Sequence, residues 1–208
     1  MKLTKLFPHA SSIDIESLMS DSRLTQEHAL FFCLKGMKHD GHQHISQAVE
    51  NGAVAIVHSD DLNTYLPFIE YIKVTDVHQE LNRCAAAFYQ FPSDKLKIFG
   101  VTGTNGKTTV AKIIKSIYAA HATTGYIGTI GMEYNGIVTK PDFTTPEVIA
   151  LHDILSKMVD SKVKALAIEL SSQGLEQHRV DALKLSTAIF TNLTHDHLDY
   201  HGTMENYF

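Results

Sequence analysis

Gly100-Val101-Thr102-Gly103-Thr104-Asn105-Gly106-Lys107-Thr108-Thr109 is the stretch on which the fold turns. The apolar run Ile98 to Thr102 predicts a buried strand. Thr108 to about Ala119 predicts a helix, with Val110, Ile113, Ile114 and Ile117 on its inner face. Gly103 to Gly106 makes a tight turn between them. Strand, glycine turn, lysine and helix in this register suit a polyphosphate. Glycines let backbone N–H groups converge on an anion, and a helix N-terminus adds its dipole and unpaired N–H groups. Lys107 offers a cation to the outer phosphates, and the Thr108 hydroxyl is placed to ligate Mg²⁺. The general pattern has a glycine five residues before the Gly-Lys pair; here Val101 stands there, and Gly103 is the loop's first glycine.

Downstream, Thr145-Pro146-Glu147 predicts a helix start, with Thr145 as N-cap, Pro146 in the first turn and an acid beside it. That helix runs through Val148, Leu151, Ile154, Leu155 and Met158. Ala165 to Leu170 and Ser186 to Thr191 read as further buried strands. Strands alternating with helices imply a parallel sheet with right-handed crossovers, whose ligands gather at the carboxyl ends of the strands. Two motifs sit at such ends. Glu169-Leu170-Ser171-Ser172-Gln173-Gly174-Leu175 puts a carboxylate at the end of a strand near the phosphate loop, where Mg²⁺ is held directly or through water. Thr191-Asn192-Leu193-Thr194-His195-Asp196-His197-Leu198-Asp199-Tyr200-His201-Gly202 crowds histidines and aspartates after another strand. His195-x-His197-x-Asp199 opens like a two-metal hydrolase site, but that pattern wants histidine directly after the aspartate, where Tyr200 stands.

Upstream, the first 90 or so residues alternate between short strands and helices. Leu30 to Leu34, Ala53 to Val57 and Tyr71 to Val74 read as strands, and Ile45, Ala48 and Val49 fall at helical spacing. Asp76 with Gln79 three residues on predicts a capped helix through Leu81, Cys84, Ala85 and Phe88, ended by Pro92. Phe91-Pro92-Ser93-Asp94 is the expected boundary, dividing the chain into domains 1–94 and 95–208. With 208 residues and a formal charge of -5, nothing in the chain suggests a broad nucleic-acid footprint, which would need a basic face. No apolar window approaches a membrane span, and the N-terminus carries no signal-like run. Cys33 and Cys84 lie in apolar stretches and read as core residues of a reduced, cytoplasmic protein.

Thr-Gly-Thr-Asn-Gly-Lys-Thr-Thr resembles the nucleotide loop of the Mur ligases and of their relatives, the folylpolyglutamate and cyanophycin synthetases. The Glu169 segment resembles the Mur pattern Glu-(Val/Leu)-Ser-Ser-x-Gly-Leu, in which many members carry His where this chain has Gln173. The 191–202 run matches Thr-Asn-Leu-x-x-Asp-His-Leu-Asp-Tyr-His-Gly nearly throughout. Asp21-Ser22-Arg23, Leu30-Phe31-Phe32, Gly36 and Asp40-Gly41-His42 resemble the UDP-binding domain of the members that add the third amino acid or the terminal dipeptide. Thr144-Thr145-Pro146-Glu147 and Gln177-His178-Arg179-Val180 resemble the third-residue ligases in particular.

The resemblance implies an α/β protein: a small N-terminal UDP-binding domain followed by a truncated P-loop parallel-sheet ATPase domain. It implies that Gly103, Thr104, Asn105, Gly106, Lys107, Thr108 and Thr109 hold ATP, and that Thr108, Glu169 and His197 hold Mg²⁺. Lys107, Glu169 and His197 would be catalytic. Ser20 and Ser22 would touch the uridine-diphosphate end of UDP-N-acetylmuramoyl-L-alanyl-D-glutamate, and Thr144, Thr145, Ser171, Gln177 and Arg179 would line the path of its muramoyl-dipeptide. The implied reaction moves the γ-phosphoryl of ATP to the D-glutamyl carboxylate, after which the amine of an amino acid displaces phosphate. Neither nucleic acid nor membrane is an expected partner, and a monomer is expected. The chain ends short of the family's carbamylated lysine and C-terminal domain, so an inactive fragment is expected. A non-catalytic nucleotide- or UDP-sugar-binding module is the alternative.

Overall fold

The computed structural model describes residues 1–36, 39–140 and 143–208. The chain divides into two units, Met1–Phe88 and Tyr89–Phe208. In the first, strands β1 (Ser17–Met19), β2 (Ala29–Phe32), β3 (Ala53–His58) and β4 (Glu70–Lys73) pair in that order, all parallel, with helix α1 (Ile45–Glu50) between β2 and β3. All four residues of β2 are buried. A strand covered on both faces reads as a continuous apolar run, which is why Leu30-Phe31-Phe32 shows no alternation. Phe31 and Cys33 pack with Ile45, Ala48, Ala53 and Ile56 in one cluster. Helix α2 (Val77–Phe88) is capped as expected, the Gln79 amide donating to Asp76 Oδ1 at 3.0 Å. It buries Val77, Leu81, Cys84 and Ala85 at helical spacing. Pro92 does not end this helix. The chain leaves it at Phe88, turns left-handed at Gln90 and Phe91, and Pro92 opens a 3₁₀ turn over Pro92–Lys95.

The second unit holds β5 (Lys97–Thr102), α3 (Lys107–Ala119), β6 (Thr124–Gly128), β7 (Gly131–Tyr134), β8 (Ile137–Thr139), α4 (Val148–Asp160), β9 (Ala165–Glu169), α5 (Ser172–Glu176), β10 (Leu185–Phe190), α6 (Leu198–His201) and α7 (Met204–Tyr207). Among the described residues its strands run in the order β10-β5-β9-β6-β7-β8. The first four are parallel, and the β7–β8 hairpin adds antiparallel to β6. That hairpin turns on Asn135-Gly136, both at positive φ (46° and 77°). Two left-handed residues match the twist of the flanking strands, and asparagine and glycine take that shape at least cost.

The two faces of the sheet are filled differently. Leu166 and Ile168 of β9 point to one side, where Leu151, Leu155 and Met158 of α4 cover them with Ile98 and Ile127. Ala167 points to the other, with Val101, Tyr126 and the Val110, Ala111 and Ile114 face of α3. Ile113 and Ile117, expected on that face, are instead 53% and 59% exposed. The helix presents Ala111 to the sheet, so the packed stripe runs through positions 110, 111 and 114 and turns the other two outward. Thr145 also departs from expectation. Glu147, not Thr145, occupies the N-cap position of α4 and makes no side-chain cap; the Thr145 hydroxyl is engaged with Glu169 and Ser171. Both cysteines are buried and free, with thiol pKa values pushed by burial to about 12. No helix among the described residues is long and apolar enough to cross a membrane.

Candidate functional site

Three segments meet where β5, β9 and β10 end, around a cleft of about 860 Å³ lined in part by Gly103, Lys107, Thr129, Thr144, Ser171 and His197. The loop after β5 enters with Gly103 at φ 124° and closes on Gly106 at φ 87°, the residue before α3. A Cβ at Gly103 would lie 2.8 Å from the Asn192 carbonyl oxygen, so the position needs glycine for room as well as for torsion. The loop is clamped by the segment after β10. Thr104 N donates to Asn192 O (2.9 Å), Asn105 N to Asn192 Oδ1 (3.1 Å), and Thr191 Oγ1 to Asn105 O (2.7 Å). Thr104 Oγ1 also accepts from Thr194 N (3.0 Å) and lies 2.9 Å from the Tyr207 hydroxyl. The Lys107 ammonium folds back over the loop, donating to Gly103 O (2.6 Å) and Thr104 O (3.0 Å).

Glu169 ends β9 with no exposed surface. Its Oε2 accepts from Thr108 Oγ1 (3.0 Å) and Thr129 Oγ1 (3.2 Å), and its Oε1 from Thr129 N (3.3 Å) and from the Tyr126 hydroxyl. Burial and the Glu169 hydrogen bond together push the Tyr126 phenol well above its ordinary pKa. Sequence reasoning named Thr108 and Glu169 and missed Tyr126 and Thr129. Both lie on or just after β6, a strand neighbouring β9, and only sheet order brings them to the carboxylate.

Thr145 lies behind the cleft, fully buried. Its hydroxyl donates to Glu169 O (3.0 Å), accepts from Ser171 N (2.9 Å) and lies 3.1 Å from Ser171 Oγ. Thr144 Oγ1 stands 3.2 Å from Thr129 Oγ1. Arg179 is nearly buried: Nη1 donates to Thr145 O (2.8 Å), Nη2 meets Glu147 (2.8 Å) and Gln177 Oε1 (2.5 Å), and the guanidinium sits 4.5 Å over the Phe143 ring. Gln177 Nε2 in turn donates to the Tyr200 hydroxyl (2.9 Å), tying this segment to the histidine-rich one.

His197 is left-handed (φ 53°) and half-exposed, its ring 5.9 Å from that of Tyr207. His201 is buried instead, its Nε2 2.9 Å from Ser172 Oγ; its Nδ1 lies 3.4 Å from Glu176 without hydrogen-bond geometry. His195, His197 and Asp199 do not gather as a metal cluster. Among the described residues the one group of three His, Cys, Asp or Glu ligand atoms within 4.8 Å of one another is Asp40, His42 and Asp60. There His42 Nδ1 contacts Asp40 (2.6 Å), Nε2 accepts from Ser59 N (3.1 Å), and Asp60 pairs with Lys35 (2.7 Å), so both ring nitrogens already have partners. In the same unit Ser20 is exposed, while the Ser22 hydroxyl is buried against Gln47 Oε1 at 2.6 Å.

The sequence model described as the Mur ligase middle domain matches residues 101–208, just over half of the chain, and that described as the Mur ligase family, catalytic domain, matches residues 14–94. A UDP-N-acetylmuramoyl-L-alanyl-D-glutamate–2,6-diaminopimelate ligase of Geobacter sulfurreducens is 43% identical over 197 residues, 94% of this chain and 38% of that protein. The chain thus spans about two fifths of the length of the curated relatives it matches. A solved ligase of the same name overlays all of this chain and 43% of its own at TM-score 0.82, with 26% identity. The MurF ligase of Thermotoga maritima, solved with ADP, shares the fold at TM-score 0.55 and 21% identity over 92% of this chain and 41% of its own.

Proposed function

Since the chain belongs to the Mur ligase family, we propose that it is the substrate- and nucleotide-binding part of a cytoplasmic ligase. That ligase adds the third amino acid to UDP-N-acetylmuramoyl-L-alanyl-D-glutamate in peptidoglycan synthesis, using ATP. The observation that carries the reading is the meeting of the Gly103–Thr108 loop with the buried Glu169 carboxylate through the Thr108 hydroxyl, next to a cleft lined by Gly103, Lys107 and Thr129. The loop's amides and the N-terminus of the 13-residue α3 suit the phosphates of ATP. Lys107 exchanges its two carbonyl partners for the outer phosphates. The oxygen donors of Thr108, Glu169 and Thr129 fit Mg²⁺, a hard cation, and His197, which also lines the cleft, would supply a nitrogen ligand. Bound there, Mg²⁺ would offset phosphate charge as the γ-phosphoryl passes to the D-glutamyl carboxylate. Thr144, Ser171, Gln177 and Arg179 orient the muramoyl-dipeptide, with Thr145 holding them from behind. Ser20 and Ser22 serve the uridine-diphosphate end. The chain spans about two fifths of its curated relatives, and ligation is expected to need the remainder of their length.

Calorimetry of this chain tests the reading. ATP–Mg²⁺ and UDP-muramoyl-dipeptide should each bind, and Lys107→Ala should weaken ATP roughly tenfold or more, the effect of losing a charge-assisted contact. Unchanged ATP affinity in that variant would sink the nucleotide assignment. Binding of the sugar nucleotide without ATP would favour the non-catalytic module. Phosphate release dependent on 2,6-diaminopimelate or lysine would overturn the claim that the chain is incomplete as a ligase.

A further inference from the structure

Tyr126 lies on β6 opposite Ala167 of β9, so its side chain shares a sheet face with Ala167 and, two residues on, Glu169. The methyl group of Ala167 leaves the phenol room to reach past it, and the hydroxyl donates to Glu169 Oε1. The two carboxylate oxygens therefore meet different groups, although Thr129 serves both and the phenol also reaches the Thr108 side chain. Oε1 is held from behind by Tyr126 and the Thr129 amide, while Oε2 is left to the Thr108 and Thr129 hydroxyls beside the phosphate loop. Tyr126 is itself fixed. Its ring is buried under the Lys112 ammonium, 4.5 Å from the centroid, and Glu133 anchors Lys112 at 2.6 Å while also pairing with Lys115. A cation over the face of a phenol draws electron density from the ring and strengthens the hydroxyl as a donor.

We propose that Tyr126 is a positioning residue for the Glu169 carboxylate, pinning Oε1 so that Oε2 is presented to the cation at the phosphate loop, with Lys112 fixing the phenol. The inference rests on the reading of Glu169 as a metal ligand. Outer hydrogen-bond partners of ligating groups typically govern metal affinity by about 10–100-fold.

The test uses Mn²⁺ as a paramagnetic substitute for Mg²⁺, titrated into the chain with ADP present while free Mn²⁺ is read by electron paramagnetic resonance. Tyr126→Phe keeps the ring and removes the donor. It should weaken Mn²⁺ binding about tenfold, while ADP affinity at saturating Mn²⁺ stays within about twofold. Lys112→Gln should shift Mn²⁺ in the same direction by about threefold, since it loosens the phenol without removing it. Unchanged Mn²⁺ affinity in Tyr126→Phe, with a clear loss in Glu169→Gln, overturns this inference alone. Unchanged affinity in Glu169→Gln overturns the metal-ligand reading and this inference with it. An ADP loss in Tyr126→Phe that persists at saturating Mn²⁺ marks a packing role and also overturns it. If Tyr126→Phe does not fold, Lys112→Gln decides: a shift supports the proposal and none overturns it.

Discussion

A single hydroxyl, that of Thr145, joins the end of β9 to the start of α5. It satisfies the Glu169 carbonyl and the Ser171 amide at once, at a position with no exposed surface. Valine has the same shape and neither function, so Thr145→Val strands both groups and should cost about 3 kcal/mol in chemical denaturation. Thr145→Ser keeps the oxygen and loses one methyl group, about 1 kcal/mol. Equal losses in the two variants would show that packing, not hydrogen bonding, is what matters there. The sequence made Thr145 conspicuous, but its role depends on a partner 24 residues away in another element. The same holds across the cleft. Lys107, Thr108 and Glu169 were legible because a phosphate loop and a strand-end acid carry their chemistry in local order. Tyr126, Thr129 and Asn192 act through sheet adjacency, which one strand's sequence does not record.

Elements were legible where their periodicity met a stop signal. β2, β3, β5 and β9 lie within a residue or two of the apolar runs that foretold them. The β7–β8 hairpin went unread although Asn135-Gly136 marks its turn, since its short strands carry little apolar pattern. On α3, four branched residues allowed two stripes, and the small Ala111 decided which one meets the sheet. Helix α4 buries a histidine among its apolar residues: His152 is enclosed, neither ring nitrogen has a hydrogen-bond partner among the described residues, and burial lowers its pKa to about 4. Below its ordinary value of 6.5 the unfolded chain takes up a proton there that the folded chain refuses until about pH 4. Stability should therefore fall as pH drops through that window, by roughly 3 kcal/mol at most. His152→Leu should flatten this dependence, gaining more over the parent at pH 4.5 than at pH 7.5 in urea denaturation. Parallel curves for the two proteins would refute the assignment.

At the scale of the whole molecule, each unit is organised around its own sheet. In the second unit β9 lies between β5 and β6 with every residue buried, whereas β10 borders the sheet and Ser186, Thr187 and Ala188 are exposed. Amide hydrogen exchange should accordingly be slowest in β9 and at least tenfold faster in β10, because a border strand opens without breaking the core. Protection of β10 equal to that of β9 would contradict this ranking. The bare flank of β10 also carries a row of backbone donors and acceptors that no neighbour answers among the described residues. Pairing along such a row asks for no matching side chains, so the first extended segment to arrive can occupy it, whether foreign or identical. A segment of the same polypeptide or of a partner would be received there on backbone geometry alone, which makes this border the place where the sheet can widen.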